Sequence, residues 1–441
     1  MPCNSHNYLI VNISHWMTTD MDDKPLISQD ISTFSTLPAP QTYSTVFGTT
    51  MNLLNSVLGA GVLSIANSFT FCGILPSIVI LTVSASLSYL SAYMIVKTNE
   101  IARAESLPAL TTLALGKNGS FVIAASSVLF CYSCMTAYII MSAEIVQSWL
   151  SLVNIKINGF WDRAIFVLIY SVCIPVVLTF PRQIGFLSAI SFACFLALVI
   201  YTISIIYKGI TILPVKGVDP TCETSVLSFK VFNSLSIYSL ALALTVVMIP
   251  ILQKMEPNTL KKLMASGIAF FLSFIIVLVP GVIGYLLFGE NSKPVILSNF
   301  DDKDKLFIIV KAAYFIVLVA SYPVMGLALM GVTSRSFYHH DLPQTLPFGQ
   351  RIVCLLVVNV VPIAIGMFLP NVRPAMAIGG ALGGGLSNFV FPPLIWISLS
   401  RKRWFSFSNI LCILFILFGI LSSSVSTYEA VLDALTSFKK K

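Results

Sequence analysis

The chain carries little charge. Asp, Glu, Lys and Arg make up 10% of its 441 residues, whereas a soluble domain has about 25%. Hydrophobic residues account for 56%, which indicates a membrane protein with many spans. The net charge of +8 does not indicate nucleic acid, because the Lys and Arg residues of such proteins lie in loops beside the lipid headgroups. We expect a lipid bilayer, and no nucleic acid, among its partners.

The chain also lacks the motifs of an enzyme. It has no GxSxG, HExxH or GxxxxGK[ST] sequence and no paired carboxylates in a loop. None of its four histidines lies in an apolar run. Cys131 and Cys134 form a CxxC, but they lie in an apolar run without a histidine or a second pair nearby, and we interpret them as small helical residues. We predict no enzymatic activity and no cofactor.

Eleven apolar runs follow a polar stretch. Residues 1–43 predict a disordered tail, residues 44–430 an all-α transmembrane domain, and residues 431–441 a short tail. A helix needs about twenty apolar residues to cross a bilayer. The predicted spans, numbered 1 to 11, cover about 44–71, 74–97, 119–150, 161–181, 184–208, 229–253, 263–288, 306–334, 350–369, 372–398 and 408–428. Residues 106–116 predict a short interfacial helix, and residues 209–228 predict an exposed, irregular loop.

Span 1 contradicts a simple membrane helix. Gly59, Ala60 and Gly61 fall near its middle, and each glycine costs about 1 kcal/mol relative to Ala in a helix. Asn55 lies on one helix face with Gly59. Secondary transporters use helices that are broken in mid-membrane, because the freed backbone groups hold substrates and ions. The alternative interpretation is that the glycines only allow two helices to pack closely.

Spans 6 and 8 carry further candidate groups. Eleven spans fit two repeats of five plus one, so span 6 would correspond to span 1. Span 6 has no glycine, and its hydroxyl residues either line a break or bond back to their own helix. In span 8, Pro323 frees the carbonyl of Val319 beside Ser321. Together with Asn55 these oxygens would suit Na⁺, and an ordinary proline kink is the alternative.

Span 10 is rich in glycine. We interpret its five glycines as sites of close helix packing; they are Gly379, Gly380, Gly383, Gly384 and Gly385.

Ionisable residues in the spans are few. Glu144, near the end of span 3, reaches the headgroups or serves a proton relay, and both interpretations stay open. Lys208 and Lys311 lie at span ends and are predicted to be interface anchors. Basic clusters at 254–262 and 401–403 slightly favour a cytosolic position for the side on which span 1 begins, which we call the inner side.

Three motifs resemble the amino acid/auxin permease family, which includes the sodium-coupled neutral amino acid transporters and the vacuolar amino acid transporters. They are NLLNSVLGAGVLSIANSF in span 1, PILQKMEPNT at the end of span 6 and GYLLFGENSKPVILSNF after span 7. The motifs occur in the family's order, and the span count matches. The resemblance implies the five-plus-five inverted-repeat (LeuT-like) fold, alternating access and amino acid substrates.

The resemblance also implies roles for individual residues. The backbone of Gly59, Ala60 and Gly61 would hold the substrate carboxylate, and Ser239 in the pattern Tyr238-Ser239-Leu240 would face the substrate. Asn55 and Ser321 match the Na⁺ ligands of the sodium-coupled branch.

Two positions depart from the family. Its proline and the aromatic beside it, after the glycines, are Ala66 and Asn67 here. The resemblance therefore leaves the preferred amino acid open.

These observations predict a secondary active amino acid transporter that uses Na⁺ or H⁺ as coupling ion. The alternative is a non-transporting amino acid sensor with the same binding site. Both a plasma membrane and a vacuolar or lysosomal membrane fit the sequence.

Overall fold

The apolar runs of the sequence are helices in the computed structural model, which describes residues 43–155, 157, 159–181, 185–226, 228–338, 345–369, 371–400 and 406–439. Within these residues, ten helices are long and apolar enough to cross a membrane, and one bent pair supplies an eleventh span. The predicted all-α architecture with eleven spans is confirmed. The predicted N-terminal tail, apart from Tyr43, lies outside the described residues.

The helices follow the predicted spans closely. Span 1 consists of Val46–Val57 (span 1a) and Ala60–Ser68 (span 1b), and span 6 of Val231–Ala241 (span 6a) and Thr245–Leu252 (span 6b). The other spans are Ile74–Ala102 (span 2), Leu107–Leu152 (the short helix and span 3), Phe160–Ser171 with irregular turns to Thr179 (span 4), Gly185–Lys216 (span 5), Thr259–Phe288 (span 7), Lys305–Tyr338 (span 8), Phe348–Phe368 (span 9), Arg373–Ile378 with π-turns to Phe391–Leu399 (span 10), and Phe407–Lys439 (span 11).

Three segments show how local sequence shapes the helices. The predicted short helix before span 3 begins at Ser106, whose hydroxyl caps it, and the chain changes direction at Gly116. Gly116 has a φ of 75°, which favours glycine. The prediction of an irregular loop from residue 209 is wrong at its start, because span 5 continues through Pro214 to Lys216. Span 11 likewise continues through the predicted C-terminal tail to Lys439.

Span 6 lies at the centre of the helix bundle. In its most apolar window 83% of the residues are buried, against 33% in spans 4, 5 and 11. Span 1 is buried to a similar degree, since Leu53, Leu54, Leu58 and Leu63 are fully enclosed. The two central spans are therefore surrounded by protein, where non-helical backbone is tolerated at membrane depth.

Two lysines fasten the outer loop between spans 7 and 8. The ammonium of Lys311 lies 2.6 Å from a carboxylate oxygen of Asp302, and that of Lys208 lies 2.5 Å from Asp304. Lys311 is only 2% exposed, so its prediction as a lipid-interface anchor is wrong. Its charge is balanced by Asp302, which also accepts a hydrogen bond from Ser148 of span 3.

The electrostatics of the two aspartates fit this anchoring role. Burial alone would raise the pKa of Asp302, but hydrogen bonds from Lys311 and Ser148 outweigh it and hold that pKa below its ordinary value. A hydrogen bond from Lys208 lowers the pKa of Asp304. A carboxylate with a lowered pKa stabilises the fold above its ordinary pKa and loses this effect as pH falls through the lowered value.

We predict that Asp302→Asn lowers the thermal stability of the purified chain in detergent. Asp302 is 41% exposed, so the loss should lie between about 1 kcal/mol for a surface pair and about 3 kcal/mol for a buried one. The difference from the wild type should be the same at pH 7 and pH 5 and shrink only below about pH 4.

The matched control is Asp301→Asn, because Asp301 is exposed and its carboxylate, among the described residues, accepts only a local hydrogen bond from the backbone of Lys303. Equal melting temperatures for the Asp302 and Asp301 variants would contradict the anchoring role.

Candidate functional site

Span 1 is interrupted at mid-length. Spans 1a and 1b meet at an angle of 57°, with Leu58 and Gly59 outside helical geometry. In the part of the chain that the structure describes, no side chain caps the start of span 1b. The amides of its first turn have no partner within their own helix, and the helix dipole makes this end partly positive. The break is therefore suited to receive an anionic group.

Two tyrosines surround the break. The hydroxyl of Tyr314, from span 8, donates a hydrogen bond of 2.8 Å to the carbonyl of Gly59. The hydroxyl of Tyr138, from span 3, lies so close that a Cβ added to Gly59 would be 2.3 Å from it. Both tyrosines are buried. Tyr314 therefore binds the carbonyl of Gly59, and Tyr138 places its hydroxyl next to the same residue.

Span 6 is broken beside span 1. Its two helices are separated by residues 242–244. A Cβ added to Gly61 would lie 2.6 Å from the Cβ of Ala241 and 2.8 Å from its Cα. The first turn of span 1b therefore meets the end of span 6a at backbone distance, and the two breaks are neighbours.

The side chains predicted to bind the substrate or the coupling ion differ in their hydrogen bonds. Asn55 is 2% exposed, and its Nδ2 donates a hydrogen bond of 3.3 Å to Ser191 of span 5. Within the described part of the chain its Oδ1 has no hydrogen-bond partner. The buried hydroxyl of Ser321 lies near that of Tyr138 but makes no hydrogen bond of ordinary geometry there. The hydroxyl of Ser239 donates to the carbonyl of Leu235, 2.8 Å away, so only its oxygen lone pairs stay available.

The outer end of span 1b is fastened by Asn67. Its Oδ1 accepts hydrogen bonds of 3.1 and 2.9 Å from the guanidinium of Arg373 at the start of span 10. Its Nδ2 donates to the carbonyl of Ser292 in the outer loop. The guanidinium also lies over the ring of Phe71, 5.1 Å from its centre. At the inner side, the amide of Ser44 donates to the carbonyl of Lys254, joining spans 1 and 6.

Glu144 lies apart from the break. It is six residues, or about 9 Å of helix, beyond Tyr138. The charged groups near its carboxyl are Arg163 and Lys293, and the hydroxyl of Ser298 also lies near it. Both interpretations of Glu144, reaching the headgroups or relaying protons, stay predictions.

A model of the family described as "transmembrane amino acid transporter protein" matches residues 42–432. The chain belongs to this family. The resemblance seen in the sequence is thereby confirmed, as is the multi-pass membrane architecture. Members of this family are transporters and not enzymes, and their substrates are small molecules.

Two curated relatives are similar over most of their length. Amino acid transporter AVT6E of Arabidopsis thaliana is 25% identical over 380 residues, covering 81% of this chain and 77% of the relative. Sodium-coupled neutral amino acid symporter 2 of Danio rerio is 23% identical over 413 residues, covering 87% and 81%.

Solved structures show the same fold. Mhp1, a nucleobase-cation-symport-1 family transporter, has a TM-score of 0.57 at 12% identity, covering 92% of this chain and 95% of that one. MhsT in complex with L-phenylalanine has a TM-score of 0.56 at 13% identity, covering 87% and 100%. The family member described here therefore has the five-plus-five LeuT-like fold predicted from its sequence.

Sequence reasoning missed three residues of this junction. Tyr138, Tyr314 and Asn388, an asparagine of span 10 discussed below, are all buried polar groups in apolar helices. A hydroxyl or amide at membrane depth requires a partner, which is the signal that could have singled them out.

We predict that Gly61→Ala strongly lowers amino acid uptake by this transporter. The added methyl group would meet the backbone of Ala241 at 2.8 Å, and backbone cannot move aside as a flexible side chain does. Spans 1b and 6a must then separate, and we expect uptake to fall at least tenfold. Uptake into proteoliposomes, normalised to the amount of reconstituted protein, measures this.

The control is Gly331→Ala in span 8, where an added Cβ would meet nothing within 4 Å. This variant should transport like the wild type. Normal uptake by the Gly61 variant would contradict the close packing of the two breaks.

Proposed function

We propose that the protein couples amino acid transport to a Na⁺ or H⁺ gradient, with the substrate bound between the breaks of spans 1 and 6. The observation that supports this most is the uncapped start of span 1b, packed at backbone distance against the end of span 6a. It offers unpaired amides in a protein-enclosed position, which is what a substrate carboxylate requires.

The substrate would be held at both ends of its backbone. Its α-carboxylate would accept hydrogen bonds from the amides of Gly59, Ala60 and Gly61, with the hydroxyl of Tyr138 beside them. Its amino group would meet carbonyls of the unwound segments of both spans. Ser239, three residues before the break in span 6, would face the substrate side chain.

Asn55 and Ser321 are the proposed ligands of the coupling ion. The Oδ1 of Asn55 and the Oγ of Ser321 are buried oxygens without a hydrogen-bond partner among the described residues. Leaving such a group unpaired costs about 1–3 kcal/mol, and a bound cation would remove this cost. Neutral oxygen ligands suit Na⁺, and the name of the Danio rerio relative includes sodium coupling. If H⁺ is the ion instead, Glu144 is the candidate proton acceptor.

Transport is favoured over a sensor that does not transport. Both curated relatives are named as an amino acid transporter or symporter. The neighbouring structure Mhp1 is also named as a transporter. No observation on this chain favours the sensor.

The test is uptake of ¹⁴C-labelled L-amino acids into proteoliposomes that contain the purified chain. A Na⁺ gradient and a pH gradient are imposed separately. Accumulation under either gradient supports the proposal and identifies the ion. Accumulation driven by Na⁺ favours a plasma membrane role, and accumulation driven only by pH favours a vacuolar or lysosomal one. Binding without accumulation under both gradients would overturn the proposal in favour of the sensor.

We predict that Asn55→Ala lowers the ion-dependent part of uptake about tenfold or more while the protein still reaches the membrane. The substitution removes the unpaired Oδ1 and leaves the breaks of spans 1 and 6 unchanged. Uptake is measured with and without the driving ion. The matched control is Asn52→Ala, one turn earlier and only partly buried, which should keep ion dependence. Full ion dependence in the Asn55 variant would remove this residue from the ion site.

A further inference from the structure

One face of span 10, made of residues spaced four apart, packs against span 6. We call this face the stripe. Gly380 and Gly384 lie one turn apart, and a Cβ added to them would be 1.9 Å from the carbonyl oxygen of Ser236 and 2.6 Å from that of Ser239. The two backbones are therefore in direct contact along the carbonyl row of span 6a. The next position of the stripe, four residues further on, is Asn388.

Asn388 meets span 6 where its helix stops. The Nδ2 of Asn388 donates a hydrogen bond of 3.2 Å to the carbonyl of Leu242, the first residue after span 6a. Its Oδ1 accepts a hydrogen bond of 2.6 Å from the hydroxyl of Thr245, the first residue of span 6b. One side chain thus bridges the two helices across the break.

The bridge supports a tight turn in the backbone of the break. The carbonyl of Leu242 accepts from the amide of Leu244, a tight three-residue turn that replaces the regular helical bond. Asn388 is fully buried, so water does not compete for these groups. The break contains neither glycine nor proline, and no feature of its own sequence demands it.

Span 10 is adapted to hold this side chain in place. Asn388 lies in a π-helical stretch, Leu386–Val390, and such wide turns are frequently found at functional sites. Its backbone carbonyl accepts a hydrogen bond from the hydroxyl of Ser91 in span 2. Spans 2, 6 and 10 therefore meet at this one residue.

We infer that Asn388 is a positioning residue for transport, which holds the break of span 6 in the shape that binds substrate. This inference rests on the proposed function. Because Leu242 directly follows Ala241, which packs on Gly61, a shift of the turn displaces both halves of the substrate site. Loss of the bridge therefore weakens substrate binding, whereas the conformational cycle continues.

The test compares Asn388→Leu and Thr245→Val with Thr245→Ser, which keeps the hydroxyl. The substrate is a mixture of ¹⁴C-labelled L-amino acids, taken up into proteoliposomes by the full-length chain. We expect Asn388→Leu to raise KM about tenfold with the maximal rate within about twofold of the wild type. Thr245→Val should raise KM by a smaller factor and Thr245→Ser should not. The double variant should raise KM by less than the product of the two single factors, since both substitutions disrupt one network, in which Thr245 also donates to the carbonyl of Ser387.

The control is Asn359→Leu in span 9. Asn359 is also a buried asparagine, bonded to Tyr322, Thr179 and Leu355. Its loss should lower the melting temperature and leave KM unchanged. An unchanged KM in Asn388→Leu, or an equal rise in Asn359→Leu, would overturn the inference.

Three further outcomes separate a failure of this inference from a failure of the proposed function. If Asn388→Leu does not fold, the comparison of Thr245→Val with Thr245→Ser decides, and equal KM values for these two overturn the inference. Absence of uptake and binding by the wild type would overturn the proposed function itself, and the inference with it. Uptake by the wild type with an unchanged KM in the variants overturns the inference alone.

Discussion

The structure depends on the contact of two interrupted helices at the centre of the membrane. Gly61 of span 1b and Ala241 of span 6a approach at backbone distance, so the unpaired backbone groups of both breaks gather in one place. Such groups are tolerated at membrane depth only where protein or a polar cavity surrounds them. Tyr314 donates a hydrogen bond to the carbonyl of Gly59, and Asn388 donates a second hydrogen bond to that of Leu242, beside the one from the amide of Leu244. The amides of the first turn of span 1b are the groups that we propose bind the substrate.

The surrounding spans hold this junction from both sides of the membrane. Arg373 joins span 10 to span 1b at the outer side, and the backbone pair of Ser44 and Lys254 joins spans 1 and 6 at the inner side. Lys311 and Asp302 fix the outer loop against spans 3 and 8. A substrate can shift the balance between inward- and outward-facing states only through its different affinities for them.

The sequence predicted the parts of this arrangement that depend on local chemistry. The eleven spans follow from apolar length, and the break in span 1 follows from its glycines. The break in span 6 was harder to predict, because Asn388, which bridges it, is 146 residues away from Leu242 in the chain. The burial of Lys311 was also hard to predict. Its position at a span end resembles that of an interface anchor, and only the folded loop shows that it pairs with Asp302. The roles of Asn55, Ser239 and Ser321 stay predictions that rest on the family resemblance.

The most direct test of the central claim uses amino acids and their α-amides as competitors. If the amides of span 1b hold a carboxylate, replacing that charged group by a neutral amide removes the interaction with the helix end. Inhibition of labelled amino acid uptake into proteoliposomes is measured with each pair at equal concentrations. The account predicts strong inhibition by the amino acids and at least tenfold weaker inhibition by their α-amides. Equal inhibition by both would contradict a carboxylate site at the break of span 1.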